Sequence, residues 1–329
     1  MSKKRETSIV NFMSQNMMLC ILLVMIAVFS IVAKGFLSVG NLLGILRSVS
    51  ITGVIAFGMT MVIICGEIDL SVGSSIGLSS VIVAKVAGSL DAAGFMPLES
   101  SVIIAMVVAV AIGAVIGWVN GKIRTRFNIP TFIITLAMLN GLYGLAAILS
   151  NGFPITTLPS WYGVIGAGVL GKIPVPAIWL VLVFGISLVV MNYTRFGREV
   201  YAVGGNMEAA RLSGINVNRV KVIVLIIVQV MAALSGIILS SQVYSGSFSF
   251  GRGYEMDVIA PVIIGGASLN GGLGKVTGTM IGIVFLGVLM NGMTLLGVDD
   301  YVKYVVKGLV VLVAVLVNAI QDELAKKSQ

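Results

Sequence analysis

The sequence contains no histidine, which removes imidazole metal sites, Ser-His catalysis and charge switching near neutral pH together. Cysteine is almost as scarce: Cys20 and Cys65 both lie in apolar stretches, where a thiol packs as a small hydrophobe rather than serving a disulfide or redox pair. Charge is the third shortage, since 10% of the 329 residues are charged and 58% are hydrophobic, against roughly a quarter charged in a soluble domain. The chain therefore reads as an all-α integral membrane protein, one domain over 1–329. Its excess of 21 Lys+Arg over 13 Asp+Glu then reports where loops lie and not an affinity for nucleic acid.

The parts for nucleotide chemistry are missing too. Gly274-Lys275 is followed by Val276, with Leu269 where a phosphate loop needs its first glycine. Gly166 to Gly171 fits a dinucleotide fingerprint by letter, but no strand precedes it and no acid follows at about 20 residues. No catalytic residue, metal site or cofactor is expected.

What is present is ten apolar runs, at 17–33, 50–65, 70–87, 102–119, 131–149, 175–193, 221–240, 254–268, 275–295 and 302–319. About 20 residues cross a bilayer as a helix, so ten spanning helices are expected, the eighth the shortest. With the N-terminus in the cytoplasm an even count returns the C-terminus there, leaving 1–16, 194–221 and 320–329 on the cytoplasmic side. Basic residues gather accordingly at Lys3 to Arg5, Lys122 to Arg126 and Arg195 to Lys221. Two groups of five helices would be inverted relative to each other, and Glu67-Ile68-Asp69-Leu70 is echoed by Glu255-Met256-Asp257-Val258. Glycines at four-residue spacing, Gly73/Gly77, Gly113/Gly117/Gly121 and Gly278/Gly282, are expected to let helix backbones approach closely.

Polar residues in such a chain need a reason. Gly66 to Asp69 reads as a tight break between the second and third helices, with Asp69 capping the helix that starts near Leu70 and Glu67 hydrated beside it. The alternative is a deeper break whose polar groups, Ser71 among them, line a water-filled path. The amides Asn120, Asn140, Gln229 and Asn291 are candidates for the same path, each first expected to bond a neighbouring helix. In the polar segment from Thr194 to Lys221, Asn206 can cap a short helix through Arg211, Glu208 suits its first turn, and Gly214 can end it.

Glu208-Ala209-Ala210-Arg211-Leu212-Ser213-Gly214 resembles the coupling loop of bacterial ATP-binding-cassette (ABC) importer permeases. Gly66 to Ser74, Gly204 to Asn206, Gly253 to Asp257, Gly265 to Gly272, Asn291-Gly292 and Leu295 to Val298 resemble the monosaccharide branch, the ribose-type permeases, over roughly 35–318. Glu67 departs from that pattern, which usually has glycine there. The resemblance implies a permease subunit of the bacterial inner membrane that moves a monosaccharide such as ribose. Its implied partners are a separate ATPase subunit engaging Asn206, Glu208, Ala209, Ala210 and Gly214, a periplasmic or lipoprotein sugar-binding protein, a second permease copy and membrane lipid. The competing class is an ion-coupled secondary transporter with Glu67 and Asp69 as coupling carboxylates. An intramembrane enzyme would need a nucleophile-base pair or metal cluster that the sequence lacks.

Overall fold

The computed structural model describes residues 17–327; the expected N-terminal tail 1–16 and residues 328–329 lie outside the described residues. Every expected apolar run contains a helix. They are α1 (Met17–Val32), α2 (Val39–Ile64), α3 (Val72–Ala92), α4 (Leu98–Phe127), α5 (Thr131–Leu149), then the single-turn α6 (Val164–Ala167) and α7 (Val175–Tyr193). After these come the short α8 (Arg195–Gly205) and α9 (Met207–Leu212), α10 (Val217–Val243), α11 (Tyr254–Ile264), α12 (Val276–Leu295) and α13 (Asp300–Lys327). A two-residue hairpin, β1 (Val169–Leu170) with β2 (Ile173–Pro174), occupies the stretch that mimicked a dinucleotide fingerprint.

Seven of these helices, α2, α3, α4, α5, α7, α10 and α12, are long and apolar enough to cross a membrane. Their outward faces leave Val107, Ile148 and Val181 exposed, as a lipid-facing surface requires, while α2, α3 and α10 contribute the largest shares of the buried core. The chain is thus a multi-pass, all-α membrane protein.

Two spans differ from expectation for identifiable reasons. The second begins at Val39 rather than 50, because polar residues in its first turns find partners elsewhere: Asn41 exchanges hydrogen bonds of 2.9 and 2.8 Å with Asn291, and Arg47 donates to the Ala167 carbonyl. The eighth, expected over 254–268, is an 11-residue helix containing Pro261 and stopped by Gly265 and Gly266. Eleven residues rise only about 16 Å, half a bilayer. The irregular segment 244–253 supplies the other half by running beside α3, where a Cβ on Gly77 would stand 2.8 Å from the Phe248 carbonyl oxygen. Irregular backbone is tolerated at depth when protein buries it, so Gly73 and Gly77 admit an irregular strand of chain instead of the helix expected. The other spaced glycines do bring helices together: Gly113, Gly117 and Gly121 lie against α10 backbone, and Gly278 and Gly282 against α11.

This packing predicts that Gly117→Leu, whose side chain would meet the Leu225 carbonyl and Ile226 backbone, lowers the yield of monodisperse protein in detergent at least several-fold. Gly141→Leu on α5, with nothing within 4 Å of its Cβ position, should leave the elution profile unchanged. Equal yields would show that α4 and α10 are not in close contact.

Candidate functional site

The helix α2 ends in a Schellman motif: Gly66 takes φ +77, its N–H reaches the Ile63 carbonyl at 2.9 Å, and the Glu67 N–H reaches Val62 at 3.0 Å. The chain then turns back into the bundle. Thr135 on α5 receives the Leu70 N–H at 3.0 Å, Asp69 receives the Ser71 N–H at 2.9 Å, and α3 starts behind Ser71. Ser71, not Asp69, is the cap residue; Asp69 acts one step earlier by holding the cap's own N–H.

Four of the residues singled out for the break or path, Asp69, Ser71, Asn120 and Gln229, converge here, and all are buried. Gln229 donates to Asp69 and to the Ser71 hydroxyl, both at 2.8 Å, and accepts from Ser75. Ser71 donates to Asp69 at 2.6 Å, and the Asn120 amide reaches the Ser71 hydroxyl at 3.4 Å. Gln229 stands twelve residues beyond the first residue of α10, about 18 Å along the helix. The break is therefore deeper than a surface turn, yet it is sealed inside the chain.

Glu67 corrects the expectation of a hydrated acid. It is 4% exposed, and its carboxylate accepts from Arg124 near the end of α4 at 2.9 Å and pairs with Lys221 near the start of α10 at 2.6 Å. The Thr131 hydroxyl at the head of α5 donates to its other oxygen. A carboxylate out of water needs such partners. Arg124 and Lys221 were legible only as topology charges; the signal that could have found them was Glu67 itself, an acid between apolar runs that requires a cation.

The other two amides lie elsewhere. Asn140 is exposed on α5 and bonds its own helix at Leu136, while Asn291 pairs with Asn41. Asn291 also lines a cavity of about 390 Å³ between α2, α11, α12 and α13, with Ser48, Thr52, Tyr254 and the ion pair Asp257–Lys307. Glu255 and Asp257 fall inside the first turn of α11, whereas Glu67 and Asp69 precede α3, so the two four-residue echoes are not superimposable. Even so, Asp69 and Glu255 stand at helix N-termini that converge, Glu255 lying beside Gly73.

At the end of the bundle that carries Glu67, the short helix α9 is built as expected. The Asn206 side chain accepts from the Ala209 N–H at 2.9 Å, Glu208 pairs with Arg211 at 2.6 Å on the exposed face, Ala209 is exposed, and Ala210 is buried. Gly214 takes φ +81 and receives the chain's exit from the helix, with its N–H 3.0 Å from the Arg211 carbonyl. The longer α8 precedes it, and the last residues of the 194–221 segment, from Val217, already belong to α10. Glu208, Arg211, Arg124 and Lys221 share one groove of about 420 Å³, so the face of α9 and the clasp on Glu67 are contiguous.

The family profile described as branched-chain amino acid transport system / permease component matches residues 41–315. The ribose import permease protein RbsC of Bacillus subtilis (strain 168) is 44% identical over 299 residues, 90% of each chain. That of Escherichia coli (strain K12) is 41% identical over 305 residues, 90% of this chain and 91% of its own. That of Haemophilus influenzae is 39% identical over 323 residues, 96% of this chain and 97% of its own. No solved structure matches the chain.

Removing one partner of a buried ion pair costs about 3–5 kcal/mol. Glu67→Gln leaves Arg124 and Lys221 without their counter-charge, and is expected to lower the thermal midpoint in detergent by roughly 5–10 °C, at about 2 °C per kcal/mol. The double variant Glu67→Gln, Lys221→Met, which leaves only Arg124 without its counter-charge, should recover part of that loss. A midpoint unmoved by the single change would show that the carboxylate is hydrated after all.

Proposed function

The chain belongs to the branched-chain amino acid transport system / permease component family, and from that membership we propose that it is the permease subunit of an ABC importer carrying ribose or a related monosaccharide across the bacterial inner membrane. The observation that supports this most is the reach of the likeness. It covers nine-tenths of this chain and of the ribose import permeases of two bacteria, and the family profile includes both the break at Glu67 and the α9 helix.

Charge adds a physical reason for a neutral cargo. A helix N-terminus inside a transporter attracts anionic groups through its dipole. Here the N-terminal ends of α3 and α11 already carry Asp69, Glu255 and Asp257, so they offer no field for a substrate carboxylate. A sugar, uncharged and rich in hydroxyls, suits such a path better than an amino acid.

Within this reading the chain crosses the membrane ten times in two inverted halves of five, with both termini and 194–221 in the cytoplasm. The ATPase subunit docks on α9, using the exposed Glu208, Arg211 and Ala209 above the buried Ala210, while Asn206 and Gly214 hold the helix ends. A sugar-binding protein delivers from the opposite side, and a second permease copy completes the assembly. Ion coupling is disfavoured because Glu67 is held by two cations and Asp69 by three donors, so neither carboxylate is open to exchange an ion with solvent.

In proteoliposomes, ribose uptake should require the ATPase subunit, ATP and a ribose-loaded binding protein together; uptake by the isolated chain under a proton or sodium gradient would overturn the importer reading. Gly214→Trp should insert normally, yet reduce ATP-driven uptake at least tenfold, since a bulky residue at φ +81 is strained and reshapes the exit of α9. Unchanged uptake by that variant would show that the segment serves only topology.

A further inference from the structure

The cavity between α2, α11, α12 and α13 combines apolar walls, Val49, Ile283 and Leu286 among them, with polar groups that lipid cannot satisfy. Thr52 lies near the midpoint of α2, and the ion pair Asp257–Lys307 faces the same space with side chains 29% and 18% exposed. Charges facing hydrocarbon are costly, and intramembrane ionisable groups turn to protein or water, so this space is wet. It extends from Thr52 towards Ser48 and Asn291, at the end of α2 remote from α9.

We propose that this cavity is the transit site for a neutral polyhydroxyl solute of pentose size, an inference that rests on the importer reading. Its volume of about 390 Å³ lies within the roughly 300–1,000 Å³ usual for small-molecule sites. Its charges cancel, because Asp257 and Lys307 neutralise each other. Its remaining chemistry matches a sugar: the Tyr254 ring offers an apolar face, and no partner among the described residues occupies the hydroxyls of Thr52 or Tyr254. Asn291 is oriented by its pair with Asn41, and the Ser48 hydroxyl donates to its own helix at Gly44, leaving acceptor capacity free. The cavity runs along α11 from Tyr254 to Pro261, and the acid that faces it, Asp257 in the first turn, is already paired with Lys307.

The test uses the complete importer in proteoliposomes, with Cys20 and Cys65 replaced by serine, and ribose delivered by its binding protein as the probe. Thr52→Cys should react with a small charged methanethiosulfonate after assembly, and the modified complex should lose at least tenfold in uptake while binding-protein-stimulated ATP hydrolysis persists. Thr52→Val should change the initial uptake rate several-fold with no change in thermal midpoint, since it removes a hydroxyl and keeps the shape. A cysteine that never reacts, or one whose modification leaves uptake unaltered, overturns the transit site. An unmodified complex that moves no ribose overturns the importer reading and this inference with it, so the two failures are separable.

Discussion

The arrangement depends on one carboxylate. Glu67 lies at the point where α2 has ended and α3 has not begun, and it is held by side chains from α4, α5 and α10. Three elements, none of them its neighbour in sequence, therefore meet on one buried charge. Arg124 and Lys221 stand around the carboxylate where water would otherwise be, and the carboxylate in turn balances those two cations. The same two cations form the wall of the groove beside α9. A displacement of α9 would reshape the groove that these cations wall.

Above that clasp, the bundle solves the problem of backbone without helix inside a membrane. The turn from Gly66 to Ser71 and the segment 244–253 both interrupt helical hydrogen bonding at depth. The first is closed by Asp69, Thr135 and Gln229, and the second lies in a channel left by the missing side chains of Gly73 and Gly77. Most of the polar groups at these breaks are answered by protein, the condition for irregular chain within hydrocarbon, while Asn120 Oδ1 and Ser245 Oγ are buried without a partner among the described residues. The half-length α11 and the convergence of its N-terminus with that of α3 follow from this geometry.

Function follows from where charge is spent. Acids at the two converging helix ends use up the positive field that would otherwise hold an anion, and the one ion pair in the open cavity is self-neutralising. Hydroxyls, amides and an aromatic ring remain for a neutral cargo, which agrees with the names of the relatives more closely than with an amino-acid substrate.

The class of the protein and the position of its helices were legible in the chain because hydropathy acts over each run by itself, and α9 was legible because capping spans three residues: Asn206 to Ala209 needs no distant partner. The early start of α2 was not, since Asn41 finds its side-chain partner in Asn291, 250 positions away. Asp69 and Gln229, separated by 160 positions, and Glu67 with Lys221 became sites only when α3, α4 and α10 packed together. Local order is dictated by neighbours along the chain. The fate of a buried polar group is dictated by whichever helix faces it, and that choice is made by the packing of the whole bundle.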